Sequence, residues 1–113
     1  MDRDEIEFTV DVGAGPDGSV VTPHGELDIA TQRQLREVLQ QQSASGAVTL
    51  DLSGLRFLDT SGLRLILETT EASRRDGFAF HVLPGSAAVQ RLFEVAGVAE
   101  LVPFRDPEEG GSS

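Results

Sequence analysis

The segment from Val48 to Gly77 constrains the fold more than any other part of the chain. Apolar residues alternate with polar ones from Val48 to Leu52, which is typical of a strand with one buried face. After a short link from Ser53 to Leu58, apolar side chains recur at the spacing of one helix face: Leu63, Ile66, Leu67 and Thr70. The segment therefore predicts a strand, a link and a helix that ends before Gly77, a residue type favoured just after helices.

Polar residues stand where this helix should begin. Asp59 suits the N-cap position, and the hydroxyls of Thr60 and Ser61 follow it where a helix has backbone N–H groups without partners. Two interpretations stay open from these residues alone. The hydroxyls are ordinary first-turn residues, or they mark a site at which an anion or a modification is accepted.

The chain is strongly acidic. Its 113 residues include 19 aspartates and glutamates and 9 basic residues, all arginine, for a formal net charge of −10. This length suits one domain with a single core. An acidic surface without tryptophan or tyrosine disfavours nucleic acid, which attracts basic patches and stacking aromatics, and it disfavours anionic membranes. We expect neither nucleic acid nor a membrane among its partners.

Missing residue types exclude several kinds of chemistry. Without cysteine the chain has no disulfide and no thiolate nucleophile, and without lysine it has no Schiff-base chemistry. The acidic start, MDRDEIE, differs from the basic and then apolar start of a secretory signal, and no apolar run approaches membrane-spanning length. The simplest expectation is a cytoplasmic protein.

A hairpin should precede the central segment. The first strand is indicated by three alternating apolar residues: Ile6, Phe8 and Val10. A turn rich in glycine separates them from a second strand, Ser19 to His24, in which Pro23 suits the end better than the middle. The residues Gly25 to Asp28 then break the strand pattern.

Two further helices are indicated. Thr31 and Gln34 are spaced as a capping box for a helix whose apolar face contains Leu35, Val38 and Leu39. Ser86 is a candidate N-cap for the other helix, which Gly97 ends. Its apolar residues are Val89, Leu92, Phe93 and Ala96. A strand from Phe78 to Leu83 lies before it, and Leu101 to Phe104 are a candidate last strand.

The element order is β-β-α-β-α-β-α, with a possible terminal strand. Strand–helix–strand units of this length favour parallel pairing, and the opening hairpin makes the sheet mixed. The prediction is a small α/β domain over residues 1–105, with four to five strands and about three helices. The tail, residues 106–113, is disordered by composition.

The residues show no catalytic, cofactor or metal site. His24 and His81 lie in predicted strands without a second ligand at metal spacing, so we interpret both as structural. A response-regulator receiver would need a lysine late in the chain, which is absent. Four carboxylates are better explained as caps and solvated surface than as general acids or bases, because no nucleophile or electrophile clusters with them: Glu26, Asp28, Asp51 and Asp59.

Two motifs together resemble one bacterial family. The tetrapeptide Gly25-Glu26-Leu27-Asp28, followed after the first predicted helix by VTLDLSGLRFLDTSGLRLIL, is similar to the STAS-domain anti-sigma factor antagonists, or anti-anti-sigma factors. The later segment AAVQRLFEVAGV resembles that family's third helix. The resemblance covers Ile6 to Phe104 in the family's element order.

What the resemblance implies is a partner switch without catalysis. Such a protein binds an anti-sigma factor that is also a serine/threonine kinase, and so releases a sigma factor. Phosphorylation of the hydroxyl residue after the aspartate ends the antagonism, and a phosphatase restores it. The resemblance places the acceptor at Thr60, with Ser61 as the alternate. It implies a partner-binding surface that contains Gly25, Glu26, Asp28, Asp59, Ser61 and Gly62.

The chain departs from the family pattern in two places. Many members have serine at the acceptor position, where this chain has Thr60, and members commonly end in a further helix, whereas this chain stops soon after Phe104. Two alternatives are retained. One is a STAS module of a transport or signalling complex that is not phosphorylated, and the other is a small acidic enzyme that acts at the helix terminus.

Overall fold

The computed structural model describes residues 7–106 of the chain. Its strands and helices, in chain order, are β1 Thr9–Ala14, β2 Ser19–Leu27, α1 Gln32–Ser45, β3 Val48–Asp51, β4 Leu55–Leu58, α2 Thr60–Asp76, β5 Phe80–Leu83 and α3 Ala87–Val95. Short 3₁₀ turns cover Leu52–Gly54 and Ala99–Leu101. Ile6 of the predicted first strand and the predicted tail after Asp106 lie outside the described residues, so the limits of the domain stay a prediction.

β2 pairs with three other strands of a mixed sheet, which has five strands within residues 7–106. β1 pairs with it antiparallel, from Thr9 opposite His24 to Ala14 opposite Ser19. On its other side the first part of β2 pairs in parallel with β3 and the last part with β4, and β5 extends the sheet beyond β3. The predicted α/β class and the mixed sheet are confirmed.

The predicted link from Ser53 to Leu58 is wrong in its second half, which is strand β4. The Asp51 carboxylate accepts a hydrogen bond from the Ser53 N–H at 2.9 Å and ends β3 in a 3₁₀ turn, after which the chain resumes beside β2. In β4 the two end residues, Leu55 and Leu58, are buried and the two between them are exposed. Because burial along β4 does not alternate with a period of two, this segment lacks the alternating pattern from which a strand is predicted.

β2 also runs further than predicted. It continues through Pro23, which is fully buried in mid-strand, to Leu27. An ideal Cβ on Gly54 would lie 2.7 Å from the Pro23 carbonyl oxygen, so that edge of Pro23 faces the 3₁₀ turn between β3 and β4. On that side of β2 the pairing with β3 ends at Val21 and the pairing with β4 begins at Gly25. Because Pro23 lies between the two pairings, its lack of an N–H loses no ladder hydrogen bond there. Gly25 has φ +111°, and the register of the pairing with β4 shifts between Gly25 and Glu26.

The ends of the chain's elements follow the predicted chemistry in most places. Gly77 ends α2 in a left-handed conformation, and Ser86 caps α3 by accepting a hydrogen bond from the Val89 N–H at 3.2 Å. The candidate last strand is wrong: the 3₁₀ turn Ala99–Leu101 occupies its start, and a single parallel bridge joins Phe104 to Val82. Phe104 also contacts Phe93 edge-on, with ring centroids 5.1 Å apart, and closes the core there.

Candidate functional site

The last residues of β2 and β4 bring the two sequence motifs together. Leu27 lies opposite Leu58 in the parallel ladder, and the Asp59 N–H donates to the Leu27 carbonyl at 3.1 Å. Asp28 and Asp59 therefore leave neighbouring strand ends, at the edge of the sheet where α1 and α2 begin. We call the set Gly25, Glu26, Asp28, Asp59, Thr60, Ser61 and Gly62 the candidate site.

Asp59 caps α2, as predicted. Its Oδ1 accepts hydrogen bonds from the N–H groups of Ser61, at 2.8 Å, and Gly62, at 3.2 Å. The Leu63 N–H already bonds to the Asp59 carbonyl. The helix start is thus less open to an anion than the sequence suggests, because its own aspartate occupies two of the N–H groups and only that of Thr60 is left.

The two hydroxyls differ in accessibility. Thr60 is the first residue of α2 and is exposed, whereas Ser61 is half-buried. Neither side chain makes a hydrogen bond to another residue between 7 and 106. A partner or a modifying enzyme therefore reaches the Thr60 oxygen more easily than the Ser61 oxygen.

Asp28 orders the turn between β2 and α1. Its Oδ1 accepts from the Ala30 N–H at 3.0 Å, from the Thr31 N–H at 3.1 Å and from the Thr31 hydroxyl at 3.1 Å. The Thr31 Oγ1 in turn accepts from the Asp28 N–H at 3.0 Å and lies 2.8 Å from the Glu26 carbonyl. The predicted capping box is wrong, because Thr31 bonds back to this turn and makes no side-chain cap bond to α1. The spacing of Asp28 and Thr31 was the signal for this turn.

At two glycines of the candidate site, neighbouring residues lie so close that they leave little room for a side chain. Gly25 has a positive φ, and a Cβ there would lie 3.3 Å from the Glu7 carbonyl oxygen. On Gly62 a Cβ would lie 2.5 Å from Leu58 Cδ1 and 2.7 Å from Leu27 Cγ. The first turn of α2 therefore rests directly on the buried side chains of the two strand ends.

The substitution Gly62→Ala should lower the free energy of unfolding by about 1–3 kcal/mol, because the added methyl group overpacks the contact with Leu27 and Leu58. Urea unfolding measures the change. Gly13→Ala is the control, because a Cβ on Gly13 meets nothing within 4 Å. Equal stability of both variants would show that Leu27 and Leu58 can move enough to accommodate a methyl group at Gly62.

Sequence reasoning missed three side chains near the site. Ile29, next to Asp28, is 77% exposed, and Phe57, cross-strand from Glu26, is 48% exposed. Arg64 is exposed and stands one helical turn after Thr60, with no ion pair to residues 7–106. The surface around the site is therefore partly apolar and includes the Arg64 cation, although the candidate site itself is acidic.

The two histidines are not part of the candidate site. His24 Nε2 lies 3.0 Å from the Asp11 carboxylate on β1. Burial, and then the Arg105 charge, lower the pKa of His81 below its usual value. Between residues 7 and 106, no three His, Cys, Asp or Glu side chains form a group that could hold a metal ion. No helix in that part of the chain is both long and apolar enough to cross a membrane.

Comparison with known proteins gives the family. A family model described as "Mlab, STAS domain" matches residues 10–103. The chain belongs to the STAS-domain family. The match includes every residue of the candidate site, and it confirms the family resemblance that the two motifs suggested.

The relatives of this STAS domain include named regulators. The anti-sigma-B factor antagonist of Staphylococcus aureus is 30% identical over 87 residues, which are 75% of this chain and 81% of that protein. A crystal structure of an anti-sigma factor antagonist from Mycobacterium paratuberculosis has a TM-score of 0.78 at 27% identity and covers 89% of this chain and 86% of that one. The Bacillus cell fate determinant SpoIIAA in its phosphorylated form shares the fold, with a TM-score of 0.64, 22% identity, and coverage of 91% and 95%.

Proposed function

We propose that this STAS domain is an anti-sigma factor antagonist that binds an anti-sigma factor with serine/threonine kinase activity and so releases a sigma factor. Phosphorylation of Thr60 switches it off, and a phosphatase switches it on again. It acts in the cytoplasm, without nucleic acid, membrane, metal or cofactor, and it is a regulator rather than an enzyme. The relatives that are named antagonists support this role.

One observation of the structure carries the proposal. The exposed Thr60 hydroxyl stands at the start of α2, and the bond from the Asp59 N–H to the Leu27 carbonyl holds that start against the end of β2. A protein that docks on Glu26 and Asp28 therefore meets Thr60 on the same surface. A phosphate placed there changes the charge of the docking surface itself.

The test is incubation with ATP and the cognate anti-sigma factor kinase, followed by fragment-ion mass spectrometry. The expected product carries one phosphate on Thr60, and Thr60→Ala abolishes it whereas Ser61→Ala does not. Phosphate on Ser61 that survives Thr60→Ala would move the acceptor by one residue. Binding of a partner without phosphate on either hydroxyl would favour the unphosphorylated STAS module of a transport or signalling complex.

Asp28→Asn should slow association with the anti-sigma factor and weaken its salt dependence, because a carboxylate on the docking surface steers a basic partner. The asparagine oxygen keeps the three hydrogen bonds of Oδ1, so the melting temperature should hardly change. Stopped-flow binding at several salt concentrations measures the effect.

Asp28→Ala is the matched control, since it removes the hydrogen bonds as well as the charge. It should cost about 1 kcal/mol of stability or more, as the loss of a cap does. If Asp28→Asn binds as fast as the wild type while Asp28→Ala is destabilised, Asp28 only orders the turn.

A further inference from the structure

A groove of about 330 Å³ lies between β4 and α3, beside the candidate site. Its floor includes Leu58 and Val89, which are 6% and 2% exposed. Its walls are more open: Phe57 is 48% exposed and Val95 72% exposed, with the half-buried Leu92 between strand and helix end. Single exposed apolar residues are common on soluble proteins, but here several share one groove, as at binding surfaces.

The groove is positively charged in an otherwise acidic chain. Arg56 and Arg91 line it, and no aspartate or glutamate does. Within residues 7–106 neither arginine has an ion pair or a hydrogen bond, whereas Arg36 and Arg74 lie 2.9 Å and 3.8 Å from glutamates on α2. Glu94 is on the same helix as Arg91 but does not pair with it or line the groove. Two arginines are thus left to attract an external carboxylate.

Strand β4 joins the groove to the candidate site. Phe57, in the groove wall, is cross-strand from Glu26, and Asp59 follows Leu58 directly. A stable protein interface commonly buries about 800 Å² on each partner, more than a few residues around Thr60 provide. A partner docked over Thr60 therefore needs adjoining surface, and the groove offers exposed apolar area next to it.

We propose that the groove between β4 and α3 is a second part of the interface with the anti-sigma factor, and that it receives an acidic segment bearing at least one apolar side chain. The apolar side chain packs against Phe57 and Val95 while carboxylates pair with Arg56 and Arg91. This inference rests on the proposed function. A second copy of this chain is a poorer occupant, because both copies carry a net charge of −10.

The experiment measures the affinity of the cognate anti-sigma factor kinase for three full-length variants by isothermal titration calorimetry. Val95→Asp places a carboxylate on an exposed wall, and Arg91→Glu reverses a charge of the rim. Arg74→Glu, in the last turn of α2, is the matched control because it changes the net charge equally. Each groove variant should bind at least about tenfold more weakly, or roughly 1.4 kcal/mol, whereas Arg74→Glu should stay within about twofold. Melting temperatures verify that all three variants are folded.

The outcomes separate this inference from the function on which it rests. Normal binding by the groove variants, together with weakened binding by Asp28→Asn, overturns the inference about the groove and leaves the proposed function standing. Equal losses for Arg91→Glu and Arg74→Glu also overturn it, since they report only net charge. A wild type that binds no anti-sigma factor rejects both. Sedimentation in which the wild type forms a dimer that Val95→Asp abolishes would assign the groove to a second copy instead.

Discussion

Phosphate on Thr60 should lower the affinity for the anti-sigma factor by at least about a hundredfold, or roughly 2.7 kcal/mol, and leave the melting temperature almost unchanged. The phosphate adds a charge of about −1.5 to −2 at neutral pH. Docking would bury that charge at the interface, and a buried charge that is not fully paired costs several kilocalories per mole.

The charges around Thr60 explain why the fold itself should tolerate the phosphate. The helix dipole and Arg64, one turn along α2, favour it, while the Asp59 carboxylate opposes it. These effects are each about 0.3–1 kcal/mol near the surface and have opposite signs. One arginine cannot neutralise a phosphate of nearly two charges, so the surface remains negative when a partner approaches.

The measurement compares phosphorylated and unphosphorylated protein in binding and in thermal unfolding, with kinase-treated Thr60→Val as the control. Thr60→Glu is a poor substitute, because a carboxylate has less charge and fewer acceptor oxygens than a phosphate. A collapse of the melting temperature, or amide shifts spread across the sheet, would contradict this account. The switch would then act through rearrangement of the domain.

Leu27→Ala should lower the free energy of unfolding by about 2–5 kcal/mol, as expected when a fully buried leucine leaves a cavity. Leu27 has no exposed surface, and it supports Gly62 at the start of α2. Chemical denaturation measures the loss. Ile29→Ala is the matched control: its side chain, two residues later, is 77% exposed, so the stability should change by less than about 0.5 kcal/mol.

A double-mutant cycle sharpens this prediction. In the Leu27→Ala background the methyl group of Gly62→Ala enters the vacated space, so Gly62→Ala should cost less than it does in the wild type. Additive losses would show that Leu27 does not restrict Gly62. A loss below about 1 kcal/mol for Leu27→Ala alone would show that the two strand ends collapse onto the helix.

Local patterns predicted most of the fold, because most elements have a regular period and a recognisable cap. Asp59, Gly77 and Ser86 perform the predicted roles at helix ends. The errors lie where tertiary contacts decide. Pro23 is tolerated in mid-strand only because β2 changes partners there, and β4 is a strand because β2 supplies its ladder.

The candidate site was predictable in its polar residues and not in its surroundings. The motifs identified Asp28, Asp59 and Thr60, and the structure places them at neighbouring strand ends. Ile29, Phe57 and Arg64 gave no signal, because exposure and proximity across strands depend on how the elements pack. Their role in partner binding stays a prediction.

The close packing of Gly62 against Leu27 and Leu58 limits how any enzyme can act on Thr60. Thr60 belongs to a helix turn that is capped by Asp59 and packed against Leu27 and Leu58, so it cannot be drawn out as an extended segment without undoing that packing. A kinase that phosphorylates Thr60 has to accept a folded surface. Its specificity then depends on the shape of the whole domain edge, and a short peptide with the same residues would be a poor substrate.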